Sequence, residues 1–306
     1  MMVIGFLACV SLIRRLSRDF TPNPQHITNA ALYSLIGGVV GARLFYIFHH
    51  FDNFRSNPIE VFYLWQGGLE LVGGVAVFII VILFYMWYHK LPIRRYLDVL
   101  AIGLMLALVF GRIGCFLNGC CYGKPTDLPW GVRFPYYSYA YYSQVTPDLD
   151  RNRTEPYLEL PNDFFGYVDE NGNRYSGLKP YQYLTTNQKA EVTKGKYRCL
   201  PVHPTQLYSS GMGALWCLVL YLIWRRAKKA ELSGETGKFF IKPGYTFALM
   251  FIVYGTTRFI MEYLRDDNPF EFDGLTISQN IGIGMVVLGV ILIAVFKKMK
   301  VQSLEI

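Results

Sequence analysis

Charge is scarce in this chain of 306 residues. Only 17% of the residues are charged, against 52% apolar and 16% aromatic, whereas soluble globular domains carry about 25% charged residues. That deficit excludes an ordinary soluble domain and points to a polytopic membrane protein. The six cysteines form no C-x-x-C pair and lie near no His-x-x-x-His, so their spacing gives no zinc signature. No internal repeat relates two halves, which argues against a repeat-built transporter, and there is no low-complexity tract. The net charge of +8 does not gather on one soluble face. Lysines and arginines sit in short groups between apolar runs, which argues against a nucleic-acid partner.

What is present is a series of seven apolar segments: Met1 to Ile13, Asn29 to Phe48, Gly67 to Tyr88, Tyr96 to Phe116, Pro204 to Trp224, Tyr245 to Leu264 and Ile277 to Phe296. The first spans only about 20 Å of a hydrocarbon core about 30 Å thick. Its basic flank follows the apolar run and no small-residue cleavage site is visible, so it reads poorly as a signal peptide; a tilted short helix or a start upstream of Met1 is expected. Four basic groups, Arg14/Arg15/Arg18, Lys90/Arg94/Arg95, Arg225/Arg226/Lys228/Lys229 and Lys297/Lys298/Lys300, fall on one side of a seven-helix path. Lysine and arginine beside membrane segments stay cytoplasmic. The expected architecture is therefore an all-α integral membrane protein of seven transmembrane helices, N-terminus outside and C-terminus cytoplasmic. One polytopic domain covers 1–306, and a polar extracytoplasmic insertion at 124–202 lies between the fourth and fifth helices. Within it, Tyr167 to Tyr175 flank Asn171-Gly172, a hairpin signal.

The polar residues inside these segments carry the chemistry. The run G-R-I-G-C-F-L-N-G-C-C-Y-G, Gly111 to Gly123, closes the fourth segment around Arg112. An arginine at a membrane helix centre costs about 2.5–3.5 kcal/mol on insertion scales. Arg43 is the lone arginine of the second segment. In the sixth, Tyr254, Arg258 and Glu262 recur at i, i+4 and i+8 and share one helix face. Arg258 and Glu262 can neutralise each other as a structural pair; the surplus of Arg112, Arg258 and Arg43 over acids favours an anion site for a lipid phosphate, which arginines hold through bidentate, charge-assisted bonds. His203 precedes Pro204 at the entrance of the fifth helix, with Thr205 and Gln206 beside it; it reads as a structural group more readily than as a base or phosphate partner. A disulfide between Cys199 and Cys120 or Cys121 is expected on an oxidising outer face, with Cys9, Cys115 and Cys217 as packing residues.

Four motifs in order, G-G-L-E-L-V-G-G from Gly67, G-R-I-G-C-F-L-N-G-C-C-Y-G-K-P-T-D-L-P-W-G-V from Gly111, H-P-T-Q-L-Y from His203 and Y-G-T-T-R-F-I-M-E-Y-L-R from Tyr254, with L-T-I-S-Q at Leu275, resemble the bacterial prolipoprotein diacylglyceryl transferases. The resemblance implies a seven-helix enzyme of the bacterial cytoplasmic membrane, its active site toward the outer leaflet and its N-terminus outside. It implies transfer of the diacylglyceryl group of phosphatidylglycerol to the lipobox cysteine thiol of a preprolipoprotein signal peptide, releasing glycerol 1-phosphate, with no metal or other cofactor. Arg112 and Arg258 match the family's essential arginines; Tyr254, Glu262, Asn118 and Gly123 match its site positions. Catalysis is thus expected at Arg112, Arg258, Tyr254 and Glu262, and lipid binding at Arg112, Arg258, Asn118, Gly123, Arg43 and His203. Val72 stands where many members have histidine, Cys115 where many have asparagine and Cys120 where many have glutamate, which removes a candidate proton acceptor. An anionic-lipid-binding homologue without transfer activity is the alternative.

Overall fold

The structure is a computed structural model and describes residues 1–18, 20–21, 23–55, 58–63, 67–233, 242–272 and 274–299. Its helices are α1 Met2–Ser17, α2 Gln25–His49, the single turn α3 Phe51–Phe54, α4 Leu71–Tyr88, α5 Ile93–Asn118, α6 Tyr139–Val145, α7 Thr186–Thr193, α8 Thr205–Leu232, α9 Tyr245–Glu262 and α10 Ile277–Lys298. Five of these, α2, α4, α5, α8 and α10, are long and apolar enough to cross a membrane, as in a multi-pass membrane protein. Leu71, Val72, Ile80, Phe84 and Trp87 of α4 are exposed, an apolar surface that lipid would cover. The helix α1 has 16 residues and covers about 24 Å at 1.5 Å per residue. The helix α9 carries Arg258 and Glu262 in its last turns, which dilute its apolar content.

The chain divides into two compact units. One comprises Met1–Gly5, Met105–Val219 and Ala248–Ile291; the other comprises Phe6–Leu104, Leu220–Phe247 and Leu292–Ile306. In the second unit α2 packs closely on α4 through glycines. A Cβ placed at Gly41 would lie 2.5 Å from the Val77 side chain and 2.8 Å from the Gly73 carbonyl oxygen, so only glycine lets the two backbones approach this far. Gly41→Val is expected to destabilise the fold by about 1–3 kcal/mol, the usual cost of overpacking. An unchanged thermal midpoint in detergent would contradict this packing.

The expected third segment starts four residues too early. Gly67 and Gly68 hold φ of +86° and +72°, a left-handed conformation available to glycine, and the helix begins only at Leu71. The cause lies on α2. Arg43 donates from Nη1 to the Gly67 and Gly68 carbonyls at 2.8 and 3.0 Å, from Nε to Val61 O at 2.9 Å, and from Nη2 to Glu60 O.

In the first unit, residues 124–202 contain β1 Phe165–Val168 and β2 Arg174–Leu178, paired antiparallel with Tyr167 opposite Tyr175. This is the hairpin expected around Asn171-Gly172, and Gly172 takes the positive φ of +85° that its turn needs. The segment has a core of its own, including Phe134, Tyr141, Phe164, Leu178, Val192 and Val202. A second, short ladder joins β3 Phe270–Phe272 to β4 Leu275–Thr276 before α10.

Candidate functional site

The i, i+4 spacing on α9 sets Arg258 Nη1 2.9 Å from Glu262 Oε2. This contact is an ion pair without hydrogen-bond alignment, since Oε2 accepts no aligned hydrogen bond among the described residues. Glu262 is 3% exposed, and its other oxygen accepts from Asn268 Nδ2 at 2.6 Å and Thr276 Oγ1 at 2.9 Å. Arg258 Nη2 donates to Ser278 Oγ at the start of α10. The local sequence explains this cage: Thr276 and Gln279 bond each other's backbone N–H groups, 3.0 and 3.3 Å, a capping box that opens α10 and turns the Thr276 hydroxyl toward Glu262. Arg265 lies 3.9 Å from Glu262 but forks onto Asp267 at 2.8 and 2.6 Å. Burial works against the charge of Arg265, and Asp267 overrides it, holding the guanidinium above its ordinary pKa.

Beside this cage lies a narrow cleft lined by Leu108, Arg112, Gly213, Trp216, Tyr254 and Arg258, among others. Its volume is about 20 Å³, room for about one water molecule, so a lipid headgroup has to widen it on entry. Trp216 fixes one wall by donating from Nε1 to Thr257 Oγ1 at 2.9 Å. Arg112 is half-buried, and neither it nor Tyr254 makes a hydrogen bond or ion pair with any described residue. Because Arg258 is matched by Glu262 and Arg265 by Asp267, Arg112 leaves the cleft with an uncompensated positive charge. A half-buried guanidinium without a partner is costly, and an anion is the chemistry that relieves it.

The remaining expected site residues lie elsewhere. Arg43 is 7% exposed and four of its five N–H donors go to the loop carbonyls already described; it clamps a loop and does not line the cleft. Asn118 is exposed at the end of α5. Gly123 lies between two backbones: its N–H donates to His203 O at 3.1 Å, the next N–H donates to Leu264 O at 2.9 Å, and a Cβ there would lie 2.7 and 2.8 Å from those same oxygens. His203 supplies backbone to this crossing, while its Nδ1 is buried without a partner among the described residues. The expected disulfide is not formed. All six cysteines are free, and Cys199 is buried in the core of residues 124–202, its Sγ 3.5 Å from Gln144 Oε1.

Sequence reasoning passed over two groups that hold the site together. Buried Thr205 and Gln206 of H-P-T-Q donate to the carbonyls of Cys121 and Cys120, both at 2.7 Å. Arg151 and Arg153 reach Asp266 at 3.4 and 3.7 Å, and Arg151 also bonds the carbonyls of Arg265 and Asn268. Burial pushes the Asp266 carboxyl up, while Arg151 and Arg153 pull it down. Their signal was only an R-N-R triplet within a polar loop. Replacing both arginines by alanine strands Asp266, at a cost of about 3–5 kcal/mol for a broken buried pair. The expected readout is faster proteolytic cutting within 124–202; an unchanged cutting rate would refute the anchoring role.

The family model described as prolipoprotein diacylglyceryl transferase matches residues 1–295. The chain is 30% identical over 290 residues to phosphatidylglycerol-prolipoprotein diacylglyceryl transferase of Clostridium tetani, covering 95% of this chain and 88% of that protein. It is 27% identical over 313 residues to the enzyme of the same name from Roseobacter denitrificans, covering 95% and 85%. A relative from Bordetella bronchiseptica is 26% identical over 296 residues, covering 94% and 86%. With the signature run, the polar stripe on α9 and the arginine cleft held in one unit, and the family match spanning nearly every residue, this chain belongs to the prolipoprotein diacylglyceryl transferase family.

Proposed function

We propose that this protein transfers the diacylglyceryl group of phosphatidylglycerol to the lipobox cysteine of a preprolipoprotein signal peptide. The thiol sulfur forms a thioether bond to the glycerol carbon, the carbon–oxygen bond to phosphate breaks, and glycerol 1-phosphate leaves. The observation that carries this reading is the cleft where Arg112 has no partner among the described residues and Arg258 is aimed by Glu262. Negative charge grows on the leaving phosphate as the carbon–oxygen bond breaks. Preorganised cationic donors facing that oxygen lower the barrier most, since they need no rearrangement during the reaction. Glu262 already accepts from Asn268 and Thr276, so its role is to position Arg258. Tyr254, on the cleft wall without a described partner, is the group free to bond the lipid headgroup.

The membrane placement follows from charge and hydropathy. Seven crossings, with α1 and α9 as the short and the polar ones, put the four basic groups on the cytoplasmic face of the bacterial inner membrane. They put the N-terminus, residues 124–202 and the Arg112 end of α5 toward the outer leaflet, where a signal peptide presents its lipobox. One polytopic domain, 1–306, then carries the segment 124–202 over the site mouth, with membrane lipids and no nucleic acid as surroundings.

Complementation of a transferase-depleted bacterium tests the reading. The wild-type chain is expected to restore growth and lipoprotein modification, and Arg258→Ala to fail. A wild-type chain that is expressed and inserted yet restores neither would sink the enzymatic reading, and lipid binding without modification would replace it with the binding-protein one.

A further inference from the structure

The cysteine spacing gives no zinc signature, yet the fold gathers three thiols. Gly119, at φ +73°, ends α5 with paired bonds from Gly119 N to Phe116 O and from Cys120 N to Cys115 O, both 3.2 Å. This is the Schellman arrangement, and it folds the chain back so that Cys120 Sγ approaches the Cys115 carbonyl at 3.7 Å. Cys121 then takes a left-handed φ of +60°, uncommon for a residue with a side chain. As a result the sulfurs of Cys115, Cys120 and Cys121 all lie within 4.8 Å of one another.

A tetrahedral metal bound at about 2.3 Å holds its sulfurs about 3.8 Å apart, so closing this cluster on one ion needs shifts of about 1 Å. The backbone that carries the cluster is already fixed. The fully buried side chains of Thr205 and Gln206 hold the Cys121 and Cys120 carbonyls, the supporting contacts a metal site requires. All three cysteines are half-buried, sheltered but open to entry, and a set of sulfur ligands alone selects a soft ion.

We propose that Cys115, Cys120 and Cys121 bind one Zn(II) ion as thiolates, releasing their three protons to water, and that a water molecule completes its coordination. No oxidant or reductant takes part. The ion ties the end of α5 to the turn that Thr205 and Gln206 grip, a structural role separate from the transfer chemistry.

The test uses the full-length, reduced protein in detergent with Co(II) as the probe. The expected result is one ion per chain with thiolate-to-cobalt absorption, displaced by Zn(II). Affinity should fall at least about tenfold in Cys120→Ser and about 10–100-fold in Gln206→Ala, the range for supporting contacts, and stay unchanged in Cys9→Ser. Absence of the thiolate band in the wild type, or equal affinity in Cys120→Ser, would overturn the site. Should Cys120→Ser fail to fold, alkylation of the wild type decides: Zn(II) should protect Cys115, Cys120 and Cys121 together, and no protection refutes the proposal. Cobalt binding without complementation would count against the transferase reading alone; complementation without cobalt binding would count against the site alone.

Discussion

Arg112→Ala is expected to reduce kcat/KM for diacylglyceryl transfer by about 10²–10³ or more, the scale of losing one preorganised donor to a developing anion, with no loss of thermal stability. The two halves of this expectation have one cause. Arg112 lines the cleft but makes no hydrogen bond or ion pair with any described residue, so its removal breaks nothing in the resting protein. Truncation removes a half-buried charge that has no partner, which by itself is neutral or favourable to folding. Arg112→Lys should recover only part of the activity, because a point charge replaces a planar fork. Kinetics and a melting curve on the same preparation check this. An Arg112→Ala enzyme that melts several degrees lower and loses activity only in proportion would mean that Arg112 is structural.

Glu262→Ala should give the opposite signature, a loss of both fold and activity. Glu262 is 3% exposed and joins Arg258, Asn268 and Thr276. Its removal leaves a partly buried guanidinium unpaired and two donors without their acceptor, a cost of about 3–5 kcal/mol for breaking such a pair. Glu262→Gln keeps an oxygen for Asn268 and Thr276 but removes the charge facing Arg258, so it should fall between alanine and wild type in both stability and rate. If Glu262 instead took the thiol proton, Glu262→Gln would abolish activity at an unchanged melting temperature. Chemical denaturation followed alongside turnover separates the two roles.

Much of this was legible in the residues, for reasons that differ from place to place. The stripe Tyr254, Arg258, Glu262 was readable because helix geometry alone decides that i and i+4 share a face. The hairpin at Asn171-Gly172 was readable because the turn demands a positive φ, and glycine supplies it. Arg43 was less legible, because an arginine in an apolar run looks the same whether its partner is a ligand or a loop. Its partners are carbonyls 17 to 25 residues away, and carbonyls leave no mark on a sequence. The same contact delayed the start of α4, since Gly67 and Gly68 turn their oxygens toward it. Cys115, Cys120 and Cys121 were scattered by spacing and gathered only by the reversal at Gly119. Thr205 and Gln206 resembled an ordinary helix start, although they grip the turn at Cys120 and Cys121.

The central claim is that Arg112 and Arg258 make this cleft a seat for a lipid phosphate. Competition between phosphatidylglycerol and the phosphate-free diacylglycerol of the same acyl chains, measured on the purified protein by native mass spectrometry, tests it most directly. The wild type should prefer phosphatidylglycerol by at least about tenfold, as expected for charge-assisted bonds of about 1.5–3 kcal/mol, and Arg112→Ala should lose most of that preference. Equal binding of the two lipids by the wild type, or a preference that survives in Arg112→Ala, would contradict the account.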